Sequence, residues 1–209
     1  MKGRITLLVL VSLTLFLLPG CKSTPPSPAP EIELEGHAAA TTDGERIPKQ
    51  SDHPAPSVLS LSTTAFAEGA NIPTKYSCDG ENISPPLSWS QPPEATGAFA
   101  LIMDDPDAPH GVFTHWVLFN IPAESRQLPE AVPKDNELSS GARQGLTSFG
   151  RAGYGGPCPP AGPSHRYRFT LYALDSTLDL APGASKEDLL KVMQGHILAQ
   201  VTLTGRYQR

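Results

Sequence analysis

AFALIMDDPDAPHGVFTHWVLFNIP, residues 98–122, is an apolar run, a turn rich in proline and aspartate, and a second apolar run. The first run, 98–103, is unbroken by polar residues and bounded by turn signals, as expected of a buried strand. Residues 114–121 form a second strand, with Pro106, Pro109 and Gly111 in the turn between them. Asp104, Asp105, Asp107, His110 and His115 are thereby delivered to one strand end. Further strand-like runs lie at 58–62, with alternating apolar positions, and at 167–174 and 200–204. One helix is expected after Ser185, where Ser185-Lys186-Glu187-Asp188 is a variant of the capping box. Leu189, Val192, Met193 and His196 or Ile197 then share a face. Strands without βαβ alternation imply a mainly β fold, a sandwich of antiparallel sheets with one or two short helices.

A second dense segment is GGPCPPAGPSHRYRF, residues 155–169. Proline fixes its own φ and removes a donor, and glycine permits turns that a side chain would block. This is a shaped loop, in which the amides of Gly155, Gly156 and Cys158 are the expected donors. The simpler alternative is a rigid turn feeding a strand.

The N-terminus has its own logic. Residues 1–20 carry Lys2 and Arg4, an apolar run over 5–18 and small residues before Cys21, which is a secretory signal. The run is shorter than the ~20 residues of a membrane span. Leu18-Pro19-Gly20-Cys21 resembles a lipobox, so Cys21 is expected to be lipidated and to anchor the chain; ordinary cleavage leaving a free Cys21 is the alternative. Lys22 is not the aspartate that retains lipoproteins at an inner membrane, which leans toward an outer membrane where one exists. Residues 21–56 hold a Pro-, Ser- and acid-rich tether in which His37 and His53 are solvated, and 57–209 is one domain.

Removing Lys2 and Arg4 takes Lys plus Arg from 16 to 14 against 21 Asp plus Glu, a net charge of 14 − 21 = −7. Nucleic acid is excluded as a partner on charge. In an exported compartment Cys78 and Cys158 are expected to pair, with two reduced thiols as the alternative. A loop of roughly 80 residues closed this way stabilises the fold by about 4 to 5 kcal/mol on the chain-entropy model.

Three chemistries compete at the 98–122 strand end. Asp105, Asp107, His110 and His115 are acceptable metal ligands, but their spacing matches no zinc or calcium pattern. An Asp orienting a His suits acid–base catalysis, which needs a nucleophile or a water; GLTSFG, residues 145–150, is not the G-x-S-x-G elbow. Anion binding is the third use, with histidines and loop amides donating to phosphate oxygens. Against all three stands a purely structural role, with Asp105 capping a turn and the histidines packing at strand ends.

The run Asp105-Pro106-Asp107-Ala108-Pro109, the pair His115-Trp116 followed by Asn120, and the loop ending His165-Arg166-Tyr167 resemble the phosphatidylethanolamine-binding protein family. With CDGENISPPLSW (78–89) and GYGGPCPP (153–160) they resemble its bacterial Raf kinase inhibitor-like branch. The resemblance spans about 57–209. It implies a two-sheet sandwich with a small pocket for phosphate or phospholipid head groups; the expected function is a lipid-anchored binding protein without turnover or cofactor. Asp105 and His115 would line one side and Pro109 the rim. His165 and Tyr167 would form the other side, and Gly156 with Pro159 the loop wall. Animal members add a C-terminal helix with a pocket tyrosine, whereas this chain ends QVTLTGRYQR, so Tyr207 is not assigned that place. An inhibitor or interaction protein acting through loop 155–163 is the alternative function, and a hydrolase using Asp105 and His115 a third.

Overall fold

The computed structural model describes residues 58–209. The signal segment, Cys21 and the tether lie outside the described residues. The strands are β1 (Leu61–Ser62), β2 (Leu87–Trp89), β3 (Ala98–Asp105), β4 (Phe113–Pro122), β5 (Gln127–Leu128), β6 (Arg143–Gln144), β7 (His165–Leu174) and β8 (Ile197–Tyr207). One helix, α1 (Lys186–Val192), and a 3-10 turn at Thr74–Tyr76 complete the elements.

The strands form a five-stranded sheet in the order β6-β4-β3-β7-β8 and a three-stranded sheet in the order β1-β2-β5, every pairing antiparallel. The unbroken apolar run of β3 has a simple cause. Phe99, Leu101 and Met103 enter the main core with Trp116, Leu118, Phe169, Leu171 and residues of the smaller sheet such as Leu87 and Trp89. Ala100 and Ile102 point the other way, into a second core with Val117, Phe119, Leu189 and Met193 beneath α1. Successive side chains of a strand face opposite ways, so a strand covered on both faces has no polar position to spare.

Helix α1 begins as the sequence predicts: Ser185 Oγ accepts from Asp188 N at 3.1 Å, and the Asp188 carboxylate returns to Ser185. It ends sooner. Gly195 takes a left-handed φ of 84°, and the chain leaves the helix after Val192, so Ile197 opens β8 rather than continuing the helical face. β8 also exceeds the expected 200–204, because it pairs with β7 from His165↔Tyr207 to Leu174↔Ile197. The first strand is shorter than the predicted 58–62, with only Leu61 and Ser62 pairing to β2. Gly205 allows the close crossing of residues 66–72 over β8, since a Cβ there would collide with Ile72 and Phe66.

Two features aim the fold at one end of the large sheet. The β3–β4 turn and the start of β7 meet there, and Cys78 is bonded to Cys158 with a Cα–Cα distance of 5.4 Å, which ties loop 155–163 to the segment after the 3-10 turn.

Candidate ligand pocket

Alternation along three strands sorts the side chains. On β3, Asp104 faces α1, where its carboxylate takes Lys186 Nζ at 2.7 Å and Thr114 Oγ1 at 2.8 Å. Asp105 faces the opposite side and receives His165 Nδ1–H on Oδ2 at 2.7 Å and the Asp107 amide on Oδ1 at 2.8 Å. An ionised carboxylate only accepts, so His165 Nδ1 carries the proton. On β7, His165 and Tyr167 point inward while Arg166 between them grips Asp107 through its backbone amide at 2.9 Å and its guanidinium at 2.6 and 2.9 Å. That grip pulls the Asp107 carboxyl down to about 2.

His115, on β4, is buried and donates Nδ1–H to Gly155 O at 2.8 Å, while Gly155 N donates to His115 O at 2.9 Å. The two residues thus lock the loop to the strand. Burial holds the His115 pKa below its ordinary value, so the ring is neutral near pH 7. With Nδ1 of both histidines committed, Nε2 is the atom each can offer to an occupant.

These groups border a cavity of about 430 Å³, lined by Asp105, Pro109, His115, Pro159 and His165 among others. Gly156 and Tyr167 are not on its wall. The Gly156 amide, expected as a ligand donor, donates instead to Asn82 Oδ1 at 2.7 Å, and the Gly155 amide is taken by His115. Tyr167 is fully buried, its ring 5.2 Å from that of His115, and its hydroxyl has no hydrogen-bond partner. Burial pushes the Tyr167 pKa well above the ordinary tyrosine value, the neighbouring Asp105 charge adding to the rise. The hydroxyl therefore stays protonated.

Several lining residues carried no motif: Val112, Phe113, Ser148 and Phe149. Phe113 could have been found by counting two positions back from His115 on the same strand face. Its ring lies 5.1 Å from His115 and 4.8 Å from Phe149. Val112 and Phe149 are exposed, and Arg151 sits 5.6 Å from the Phe149 ring centre, so the mouth is apolar with a cation beside it. Ser148 Oγ accepts from Thr114 N at 2.9 Å. Among the described residues no group of three or more His, Cys, Asp or Glu is placed to hold a metal ion. Tyr207 hydrogen-bonds Ser77 and Asp79 away from this cavity.

The model of the phosphatidylethanolamine-binding protein family matches residues 62–208. The chain belongs to that family. A UPF0098 protein of Methanothermobacter thermautotrophicus is 56% identical over 151 residues, which covers 72% of this chain and 99% of the relative. LppC of Mycobacterium tuberculosis, named as a candidate lipoprotein, is 40% identical over 156 residues, 74% of this chain and 75% of its own. Among solved structures, CT736 of Chlamydia trachomatis, described as a candidate phosphatidylethanolamine-binding protein homologue, superposes with a TM-score of 0.67 at 41% identity, covering 73% of this chain and 98% of its own. The region matched as a phosphatidylethanolamine-binding protein contains every cavity residue and both bridged cysteines, whereas Cys21 precedes it.

Proposed function

We propose that this member of the phosphatidylethanolamine-binding protein family captures, without turnover, a small phosphate-bearing ligand, either a free phosphomonoester or a phospholipid head group, in the cavity between β3, β4 and β7. The observation that carries this reading is the commitment of both histidines: Nδ1 of His165 is spent on Asp105 and Nδ1 of His115 on Gly155, so both Nε2 atoms remain for an occupant. A protonated Nε2 on either ring is a donor for a phosphate oxygen, whereas Tyr167, behind the wall, is out of an occupant's reach. Buried polar groups are rarely left unpaired, and a phosphate is rich in acceptors. Pro109 shapes the rim and Pro159 the wall. The walls stand before the ligand arrives, which limits the ordering cost of binding.

Export and lipid anchoring at Cys21 complete the proposal, supported by the signal-like residues 1–20 and by the relative named as a candidate lipoprotein. Cys21→Ser should move the protein from the detergent phase to the aqueous phase on phase separation.

The deciding experiment is calorimetric titration of the purified mature protein with phosphate, phosphoethanolamine and glycerophosphoethanolamine, beside His115→Ala and His165→Ala. Binding by the wild type that both variants lose is the expected result. A folded wild type that binds none of the three would transfer the function to protein contact through the exposed residues 160–163 of the loop.

A further inference from the structure

The disulfide does not fasten loop 155–163 evenly. Its first half is already held without it: Tyr154 Oη donates to Tyr76 O at 2.7 Å, Gly156 N to Asn82 Oδ1 at 2.7 Å, and Cys78 N to Pro157 O at 3.0 Å. The second half, 158–163, contains Pro159, Pro160 and Pro163, which have no N–H to give. Among the described residues its hydrogen bonds are Gly162 N to Arg209 O at 3.4 Å and Gln208 Nε2 to Gly162 O at 2.8 Å, both made with the last two residues of the chain. With three of its six residues lacking an N–H, the segment depends on the Cys158 sulfur beside these two bonds and the packing of buried Pro159. The same segment supplies Cys158, Pro159 and Pro160 to the cavity wall. Cys158 is exposed and Cys78 half-buried.

We propose that the Cys78–Cys158 bond is a thiol–disulfide exchange site, attacked at Cys158 by an external dithiol, and that its reduction opens one wall of the pocket while leaving the fold intact. A thiolate of the dithiol attacks Cys158 Sγ, the Sγ–Sγ bond breaks, and Cys78 leaves as the thiolate. The second thiol of the reductant then attacks the mixed disulfide and releases Cys158. Two electrons pass to the protein, the dithiol becomes a disulfide, and its two protons end on Cys78 and Cys158. Attack at Cys158 rather than Cys78 follows from its exposure. Pro159 and Pro160 then lose their tether, whereas Gly155 and His115 keep their mutual hydrogen bonds and Gly156 keeps its bond to Asn82. The consequence for affinity rests on the proposed phosphate site; the loosening of the loop does not.

The test uses the mature chain with Cys21→Ser, which removes the third thiol, in its oxidised form, reduced by dithiothreitol, and as Cys78→Ser/Cys158→Ser. Backbone 15N order parameters are measured at Ala161 and Gly162 and at Gly155 and Gly156, with phosphoethanolamine titrated into each form. On reduction, Ala161 and Gly162 should fall from the rigid range of about 0.85 to below about 0.6, with Gly155 and Gly156 unchanged. The phosphoethanolamine Kd should rise at least about tenfold, equivalent to 1.4 kcal/mol. Order parameters that stay rigid at Ala161 overturn the proposal. So does collapse of the β4 and β7 signals, which would make the bond a staple for the whole fold, and so does an unchanged Kd despite a loosened loop. If the oxidised protein binds no phosphoethanolamine yet the loop loosens as described, the exchange site stands and the phosphate reading falls.

Discussion

Asp105 Oδ2 lies 2.7 Å from His165 Nδ1 although 60 residues separate them, because β3 and β7 are antiparallel neighbours and place the two side chains diagonally on one face. Both side chains are buried, at 4% and 6% exposure, and the second carboxylate oxygen is used by the Asp107 amide. The pair therefore orients the imidazole and fixes the β3–β4 turn together.

Asp105→Asn keeps the shape but offers one acceptor where two are needed, so either His165 or the turn loses its partner. The expected loss is about 1 to 3 kcal/mol in urea denaturation. In a cycle with His165→Gln the two losses should fail to add by about 1 kcal/mol or more. Additive losses would show that the pair acts as two separate residues.

Gly156→Ala tests the loop from its other side. A Cβ there would collide with Tyr76 O and crowd Ser77, at the point where the Gly156 amide meets Asn82. Destabilisation of about 2 kcal/mol or more is expected. Crowding, not backbone freedom, sets the cost, because Gly156 is not among the glycines with positive φ. A melting temperature equal to wild type would refute this account.

Much of this end of the molecule was legible in the residues. The unbroken run before Asp104, the turn Asp105–Pro109 and the strand bearing His115 bring carboxylate and imidazole to one strand end, whereas β7 begins at His165, two residues before the expected 167, and only that start puts His165 on the same face. What sequence does not reveal is occupancy. Nothing in GGP indicates that the Gly156 amide belongs to an asparagine 74 residues earlier in the chain, or that Tyr167 sits behind the cavity wall rather than on it. The short strands β2, β5 and β6 were also silent, because two or three residues cannot show a period. Phe149 escaped notice for a different reason: it reaches the pocket from a loop with no periodic pattern at all.

Asp107 and Arg166 give the fold an acid limit. Hydrogen bonding to Arg166 is the chief cause that lowers the Asp107 pKa from 3.8 to about 2. A carboxylate with a depressed folded pKa contributes stability that is complete above the unfolded value and lost as pH falls from about 3.8 through about 2. Arg166 is half exposed, at 50%, so after solvent screening the contribution is about 1 kcal/mol. Asp107→Asn should be less stable than wild type at pH 6 by about this amount, and the two unfolding curves should converge near pH 2. A gap that persists at pH 2 would assign the effect to packing instead.

The lowered pKa of His115 makes ligand affinity depend on pH in a predictable direction. Burial favours the neutral ring, and because Nδ1–H is donated to Gly155 O, the neutral ring turns an unprotonated Nε2 toward its occupant. A phosphomonoester, whose second pKa is about 6, is a dianion above neutrality. The dianion and a bare lone pair repel, so the complex must hold one proton more than the separated partners, on Nε2 or on the phosphate. Above about pH 7 affinity should then fall close to tenfold for each pH unit, with uptake of about one proton in calorimetry run in buffers of different ionisation enthalpy. His115→Gln, whose side-chain amide can donate without taking up a proton, should bind more weakly at pH 6 and lose this slope. Affinity of the wild type that is flat from pH 7 to 9 would mean that His115 does not face the phosphate.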